Sequence, residues 1–65
     1  MMQLYDTIAL KEPLEGISVP VGAKGVILLV FDEPTKAYEV EFVDVEDRSL
    51  GTFTVTENQI ESWRE

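Results

Sequence analysis

Apolar and polar residues alternate along much of this chain with a period close to two, which is the spacing of half-buried β-strands. The clearest case is the segment 37–43, where glutamates separate three large apolar side chains, Tyr38, Val40 and Phe42. One side of this strand is therefore expected to face a core and the other to face water. Glycine, proline and aspartate interrupt the alternation at short intervals, and this spacing of turn residues is typical of a small all-β domain.

The same pattern predicts four further strands, at Thr7–Leu10, Val26–Phe31, Leu50–Val55 and Ile60–Trp63. A polar stretch rich in turn residues, Glu12–Gly22, separates the first two strands and predicts a long loop. The segment Thr56–Gln59 has threonine and glutamine at the two ends of a helix capping box, with room for a single 3₁₀ turn before the last strand. These elements predict an all-β fold: a small five-stranded SH3-like barrel that occupies residues 1–65 as one domain.

Four segments of the chain also resemble a known family, namely residues 4–10, 22–26, 37–44 and 54–60. Together they are similar to a group of short, acidic bacterial proteins classified as a domain of unknown function. The sequence Tyr-Glu-Val-Glu-Phe at 38–42 is the most specific part of this similarity. The resemblance implies an SH3-like barrel, and it implies no activity, cofactor or site residues.

Two glycines, Gly22 and Gly25, stand just before the second predicted strand. Glycine at such a position supplies a positive φ or allows another segment to approach the backbone closely. A phosphate-binding loop is disfavoured, since no Gly-Lys-Ser/Thr sequence follows and no helix is predicted there. We therefore expect both glycines to serve backbone geometry.

The chain is strongly acidic, with 13 Asp and Glu against five Lys and Arg and a net charge of −8. This charge repels phosphate backbones, so we expect no binding to nucleic acid. The acidic residues around the third strand and the turn that follows it are the expected surface for a basic protein partner: Glu39, Glu41, Asp44, Glu46 and Asp47. A calcium site in this turn is disfavoured, because the spacing lacks the glycine and the bidentate glutamate of a complete calcium loop.

The chain has no cysteine and no histidine. Its serines therefore lack the commonest general base, and no thiolate zinc site can form. Glu39 and Glu41 could act as an acid–base pair only in a pocket, and a barrel of this size is filled by its own side chains. We expect no enzymatic activity, no metal and no cofactor.

The second strand is apolar at both parities. If Val26, Leu28 and Val30 face inward, a row of outward apolar side chains forms a candidate interface for a homodimer: Ile27, Leu29 and Phe31. A bulge near Gly25 would exchange the two parities. The alternative is that the long loop, residues 12–21, covers this row.

Two aromatic residues near the ends of the chain, Tyr5 and Trp63, are either exposed binding residues or packing residues of the terminal strands, and packing is the preferred interpretation. The longest apolar run is far shorter than the ~20 residues needed to cross a bilayer, so we expect a cytoplasmic protein that does not contact membranes. The favoured function is an acidic protein-binding module, such as an antitoxin or immunity-type partner of a basic protein. The alternative is an accessory subunit that docks on a larger enzyme.

Overall fold

A computed structural model, which describes residues 2–63, consists of five antiparallel strands in one sheet. The strands are β1 (Thr7–Leu10), β2 (Lys24–Phe31), β3 (Ala37–Val43), β4 (Ser49–Thr56) and β5 (Ile60–Ser62), and a 3₁₀ turn (Glu57–Gln59) lies between β4 and β5. The strand order is β4-β3-β2-β1-β5, so β4 and β5 form the two edges of an open sheet. The predicted all-β fold with five strands and one 3₁₀ turn is confirmed. Across residues 2–63, no helix has the length and apolar character that crossing a membrane requires.

The core lies on one face of β3, as the alternating pattern predicts. Tyr38, Val40 and Phe42 are completely buried, and Val40 lies opposite Phe53 on β4. Phe53 is only partly buried, although it packs against the core. The other members of the core cluster come from the other four strands and from the long first loop: Ile8, Leu10, Leu14, Val19, Ile27, Val55 and Ile60.

A β-bulge in β2 decides which of its side chains face the core. Ile27 lies opposite Val40, whereas Leu29 lies opposite Glu39, so Leu28 is an extra residue in the pairing with β3. The inward parity therefore changes along the strand, and Ile27 is fully buried while Val30 packs against the core. The prediction that Ile27 faces outward is wrong, because Ile27 lies opposite Val40, whose side chain faces the core.

The long first loop packs into the core instead of covering the outer face of β2. Leu14 and Val19 are buried among the core side chains. On β2, Leu29 stays 53% exposed and Phe31 stays 40% exposed. The alternative in which this loop covers the outward row is therefore wrong.

Gly22 and Gly25 are both at positions where the backbone requires glycine, as predicted. Gly22 has a φ of +94°, a conformation that side chains disfavour. A Cβ on Gly25 would lie 2.7 Å from Val40 Cγ1 and 3.0 Å from the backbone oxygen of Glu41. The pairing with β3 thus leaves no room for a side chain at Gly25.

The 3₁₀ turn is held by the glutamine that the capping pattern identifies. The backbone N–H of Thr56 donates a hydrogen bond to Gln59 Oε1 at 2.9 Å. The backbone carbonyl of Gln59 accepts hydrogen bonds from the N–H groups of Lys11 and Glu12. These contacts join the end of β1 to the turn that precedes β5.

Candidate functional site

An open groove of about 690 Å³ lies at one end of the sheet. Its walls come from the segment before β2, the β3–β4 turn, the start of β4 and the residue that follows β5. Four large apolar side chains in this lining are exposed to solvent: Val21, Val45, Leu50 and Trp63. We call this site the groove.

Local backbone geometry places two of these side chains in solvent. The N–H of Asp47 donates to the carbonyl of Asp44 at 2.9 Å, which closes a turn with Val45 at its tip, where it is fully exposed. Leu50 occupies a bulge in β4, since Val43 lies opposite Ser49 and Phe42 lies opposite Gly51. Neither Val45 nor Leu50 belongs to the hydrophobic core. Core packing therefore does not explain why these two exposed positions are apolar.

Trp63 and Lys24 contact each other in the lining of the groove. The ammonium of Lys24 lies 5.6 Å from the centroid of the Trp63 ring, within range of a cation–π interaction. Lys24 Nζ is also 4.0 Å from a carboxylate oxygen of Asp47. Trp63 is held in place by its backbone N–H, which donates to the carbonyl of Thr7 at 3.2 Å.

The aromatic residues near the chain ends differ in their roles. Trp63 packs beneath Lys24 yet stays 37% exposed. Tyr5 is 70% exposed, so the interpretation that it packs a terminal strand is wrong. Only Trp63 contributes to the groove.

The predicted acidic surface separates into two groups, and the first is the β3–β4 turn. Asp44 accepts hydrogen bonds from the backbone N–H groups of Glu46 at 2.8 Å and Arg48 at 2.9 Å. It also accepts one from Arg48 Nε at 3.0 Å, while Arg48 Nη2 lies 3.0 Å from Glu46. The backbone N–H of Arg48 is the main reason that the pKa of Asp44 lies below its usual range. Asp44 therefore shapes the turn, and Glu46 and Asp47 carry its exposed negative charge.

The second acidic group lies on the outer face of the sheet. Glu39 and Glu41 are half-buried on β3, opposite Thr54 and Thr52 of β4 respectively. Thr54 Oγ1 donates a hydrogen bond to Glu39 Oε1 at 2.7 Å. Neither glutamate forms an ion pair with another part of the chain between residues 2 and 63.

The candidate interface on β2 is smaller than the sequence predicts. Leu29 and Phe31 are exposed on the outer face, whereas Ile27 belongs to the core. Leu29 also lies directly opposite Glu39, so an acidic side chain borders the apolar pair.

We expect Asp44→Asn to lower the stability of the domain at neutral pH, because the charge that accepts three hydrogen bonds is lost. The pKa of Asp44 is lower in the folded state than in the unfolded chain, so its contribution is present at neutral pH. That contribution disappears as the pH falls below about 4 and through the lowered pKa. Urea unfolding of wild type and variant across this pH range measures the difference.

The matched control for this prediction is Glu46→Gln in the same turn. Its carboxylate makes one exposed contact with Arg48, and exposed ion pairs contribute little to stability. Wild type and Asp44→Asn should converge at low pH, whereas Glu46→Gln should match wild type throughout. Parallel curves for wild type and Asp44→Asn would contradict the prediction.

Sequence reasoning missed most of the groove. Val21, Val45 and Leu50 were not distinguished from ordinary loop and strand residues, because they come from separate segments. One signal was present, since Val45 is an apolar β-branched residue inside the acidic turn Asp44–Arg48. A valine there has no neighbouring apolar residue to pack against within the turn.

No curated protein and no solved structure matches this chain. A family model, described as Domain of unknown function (DUF4926), matches residues 4–62. The matched region contains all five strands, the β3–β4 turn and most of the groove. The chain therefore belongs to the DUF4926 family.

Proposed function

We propose that this chain is a small protein-binding module, and that the groove binds a basic protein. The observation that carries this proposal is the exposure of Val21, Val45, Leu50 and Trp63 around one concave surface. Exposed apolar clusters surrounded by polar residues are the usual anatomy of protein interfaces. Burial of these side chains against a partner would supply the apolar centre of such an interface.

Charge supports a basic partner. The chain carries a net charge of −8, and Asp44 and Asp47 border the groove. A negative field of this size accelerates encounter with cationic surfaces and disfavours acidic ones. An antitoxin or immunity-type protein that binds a basic toxin has these properties, and we propose this role for the chain.

The strand order supports a more specific fold within the all-β class. A meander of β2, β3 and β4, with β1 pairing to both β2 and β5, is the connectivity of an SH3-like barrel. The 3₁₀ turn before the last strand agrees with this proposal. SH3-like domains commonly serve as binding modules, so the proposed fold and the proposed function are compatible.

An affinity experiment tests the groove. Wild type, Val45→Asp and Thr35→Asp are each immobilised, and the proteins that each retains from an extract of the native host are compared. Val45→Asp places a charge in the groove without disturbing the core, since Val45 is fully exposed. Thr35→Asp adds the same charge at an exposed position in the β2–β3 loop, outside the groove lining. We expect wild type and Thr35→Asp to retain the same basic protein and Val45→Asp to lose it.

The purified partner can then be titrated against the chain while the fluorescence of Trp63, the only tryptophan, is followed. Burial of Trp63 should shift its emission to shorter wavelength. The affinity should weaken with added salt, because the two surfaces carry opposite charge. Retention of the same proteins by wild type and Val45→Asp would contradict the proposal.

We expect no association with duplex DNA or RNA at about 0.1 M salt, because the sequence has too few basic residues to release counterions from a phosphate backbone. The five basic residues are outnumbered by 13 acidic ones. A gel-shift titration measures this, and a salt-sensitive complex in the micromolar range would overturn the charge argument.

Self-association through the outer face of β2 stays a prediction. Leu29 and Phe31 would form the apolar centre of the dimer interface. Repulsion between two chains with a net charge of −8 each would oppose the dimer. The dimer should therefore tighten as salt rises, and Leu29→Lys should give a folded monomer. Sedimentation that finds only monomer at all salt concentrations would exclude this dimer.

A further inference from the structure

We propose that the free edge of β4 accepts a β-strand from the basic partner, and that this added strand alternates apolar and cationic side chains. This inference rests on the proposed function and specifies how the partner binds. It depends on three features of β4: its unpaired edge, the side chains on its two faces, and its position beside the groove.

The two edges of the sheet differ in how they are protected. β5 is three residues long and carries Glu61, and short or charged edge strands resist pairing with other chains. β4 is eight residues long, and its sequence, Ser-Leu-Gly-Thr-Phe-Thr-Val-Thr, contains no charged residue and no proline. Its first part is interrupted by the bulge at Leu50, which leaves the segment 52–56 as a regular edge. Backbone N–H and C=O groups along this segment alternate between β3 and the open side.

The inner face of this edge has a place for an apolar side chain. Phe53 lies opposite Val40 at the edge of the sheet, and its ring centroid is 6.3 Å from that of Phe42, yet it is only partly buried. A strand added to β4 would place alternate side chains on this face. An apolar side chain there would cover Phe53 and extend the core.

The outer face of the same edge favours positive charge. Thr52 and Thr54 lie opposite Glu41 and Glu39, and both glutamates are without a cationic partner in the part of the chain from residue 2 to residue 63. An added strand would lie two strand spacings from β3, about 10 Å. Long cationic side chains that lean across β4 can therefore approach the two carboxylates, with the threonine hydroxyls between them.

The position of the edge connects it to the groove. Leu50, at the start of β4, is part of the groove lining. A partner segment paired with residues 52–56 would therefore reach the groove at one of its ends. The two surfaces form one continuous binding site, in which the groove holds an apolar side chain and the edge holds the backbone.

A second copy of this chain is the less suitable occupant of the edge. Pairing β4 with β4 of a second copy would bring together two molecules that each carry a net charge of −8. Because β4 contains no charged residue, this pairing would also bring no cationic side chain towards Glu39 and Glu41. A cationic strand meets neither obstacle.

The probe for this proposal is an eight-residue peptide of alternating lysine and valine, titrated into the full chain. We expect binding that weakens with salt, and at least tenfold slower hydrogen exchange at alternate amides of residues 52–56. Two further peptides carry N-methyl groups on either all lysines or all valines. An added strand uses only one set of its N–H groups, so one methylated peptide should bind at least tenfold more weakly and the other should bind as the parent does.

The outcomes separate this inference from the proposed function. Equal binding of the two methylated peptides, or unchanged exchange of residues 52–56 in the complex, would overturn strand addition. If Val45→Asp then abolishes binding of the parent peptide while Thr35→Asp does not, the groove alone is the binding site. The proposed function then stands. No binding of the parent peptide at millimolar concentration would also overturn the inference, and a β4-paired homodimer would overturn its choice of occupant.

Discussion

Phe42→Ala is expected to leave the domain largely unfolded at 25 °C. Phe42 is completely buried on β3, and its ring packs 6.3 Å from that of Phe53. Removing a buried phenylalanine side chain costs about 3–5 kcal/mol. A single core in a chain of this length rarely supplies more than about 3–5 kcal/mol of stability. Urea denaturation followed by circular dichroism measures the loss.

The control for this variant is Val45→Ala, which removes apolar atoms from a fully exposed side chain. Its unfolding midpoint should match that of the wild type, because no core contact is lost. A cooperative transition for Phe42→Ala with a loss below about 1 kcal/mol would mean that the assigned core face of β3 is wrong.

Gly25→Ala should destabilise the domain by about 1–3 kcal/mol, the usual cost of overpacking. The new methyl group would lie 2.7 Å from Val40 Cγ1 and 3.0 Å from the backbone oxygen of Glu41. The side chain of Val40 can be shortened, but the backbone of β3 cannot move without disturbing its pairing with β4. The same urea titration measures this effect.

A double-mutant cycle tests the physical cause. Val40→Ala alone creates a cavity and should destabilise the domain, whereas Gly25→Ala/Val40→Ala should be less destabilised than the sum of the two single variants. The space vacated by Val40 would accept the new methyl group. Additive effects would show that the close approach of Val40 is not what requires glycine at position 25.

The fold could be predicted wherever apolar and polar residues alternate clearly. The bounds of β1 and β3 agree with those expected from the sequence, because charged or turn residues mark where each strand begins and ends. The 3₁₀ turn could also be located, since Gln59 supplies the acceptor for the Thr56 N–H that the capping pattern requires.

The orientation of β2 could not be predicted, because its apolar run contains no polar residue to mark the outer face. The bulge at Leu28 reverses the parity within this run, and no glycine or polar residue marks its position in the sequence. The loop before β2 was equally uninformative. Its turn residues predict a long loop without showing which side chains pack, whereas Leu14 and Val19 attach it to the core.

The acidic character of the candidate site could be predicted from the sequence, but its apolar groove could not. The acidic turn could be identified from the order of its residues, but the groove joins residues that are distant in sequence, such as Val21 and Trp63. Their proximity follows from the pairing of β1 with both β2 and β5. That pairing could be expected from the proposed fold class but not read from any one segment.

The pairing of β1 with β5 also has a consequence for the order of folding. Ile8 lies opposite Ser62, so this ladder joins the two ends of the chain, whereas β2, β3 and β4 are connected by short loops. Contacts between distant residues form late, because the entropy of closing a long loop must first be overcome. We expect the β2–β4 meander to form in the transition state and β1 and β5 to join afterwards. The uncharged edge of β4 would then be exposed from the earliest stage of folding, before the core around Ile8 and Ile60 is complete.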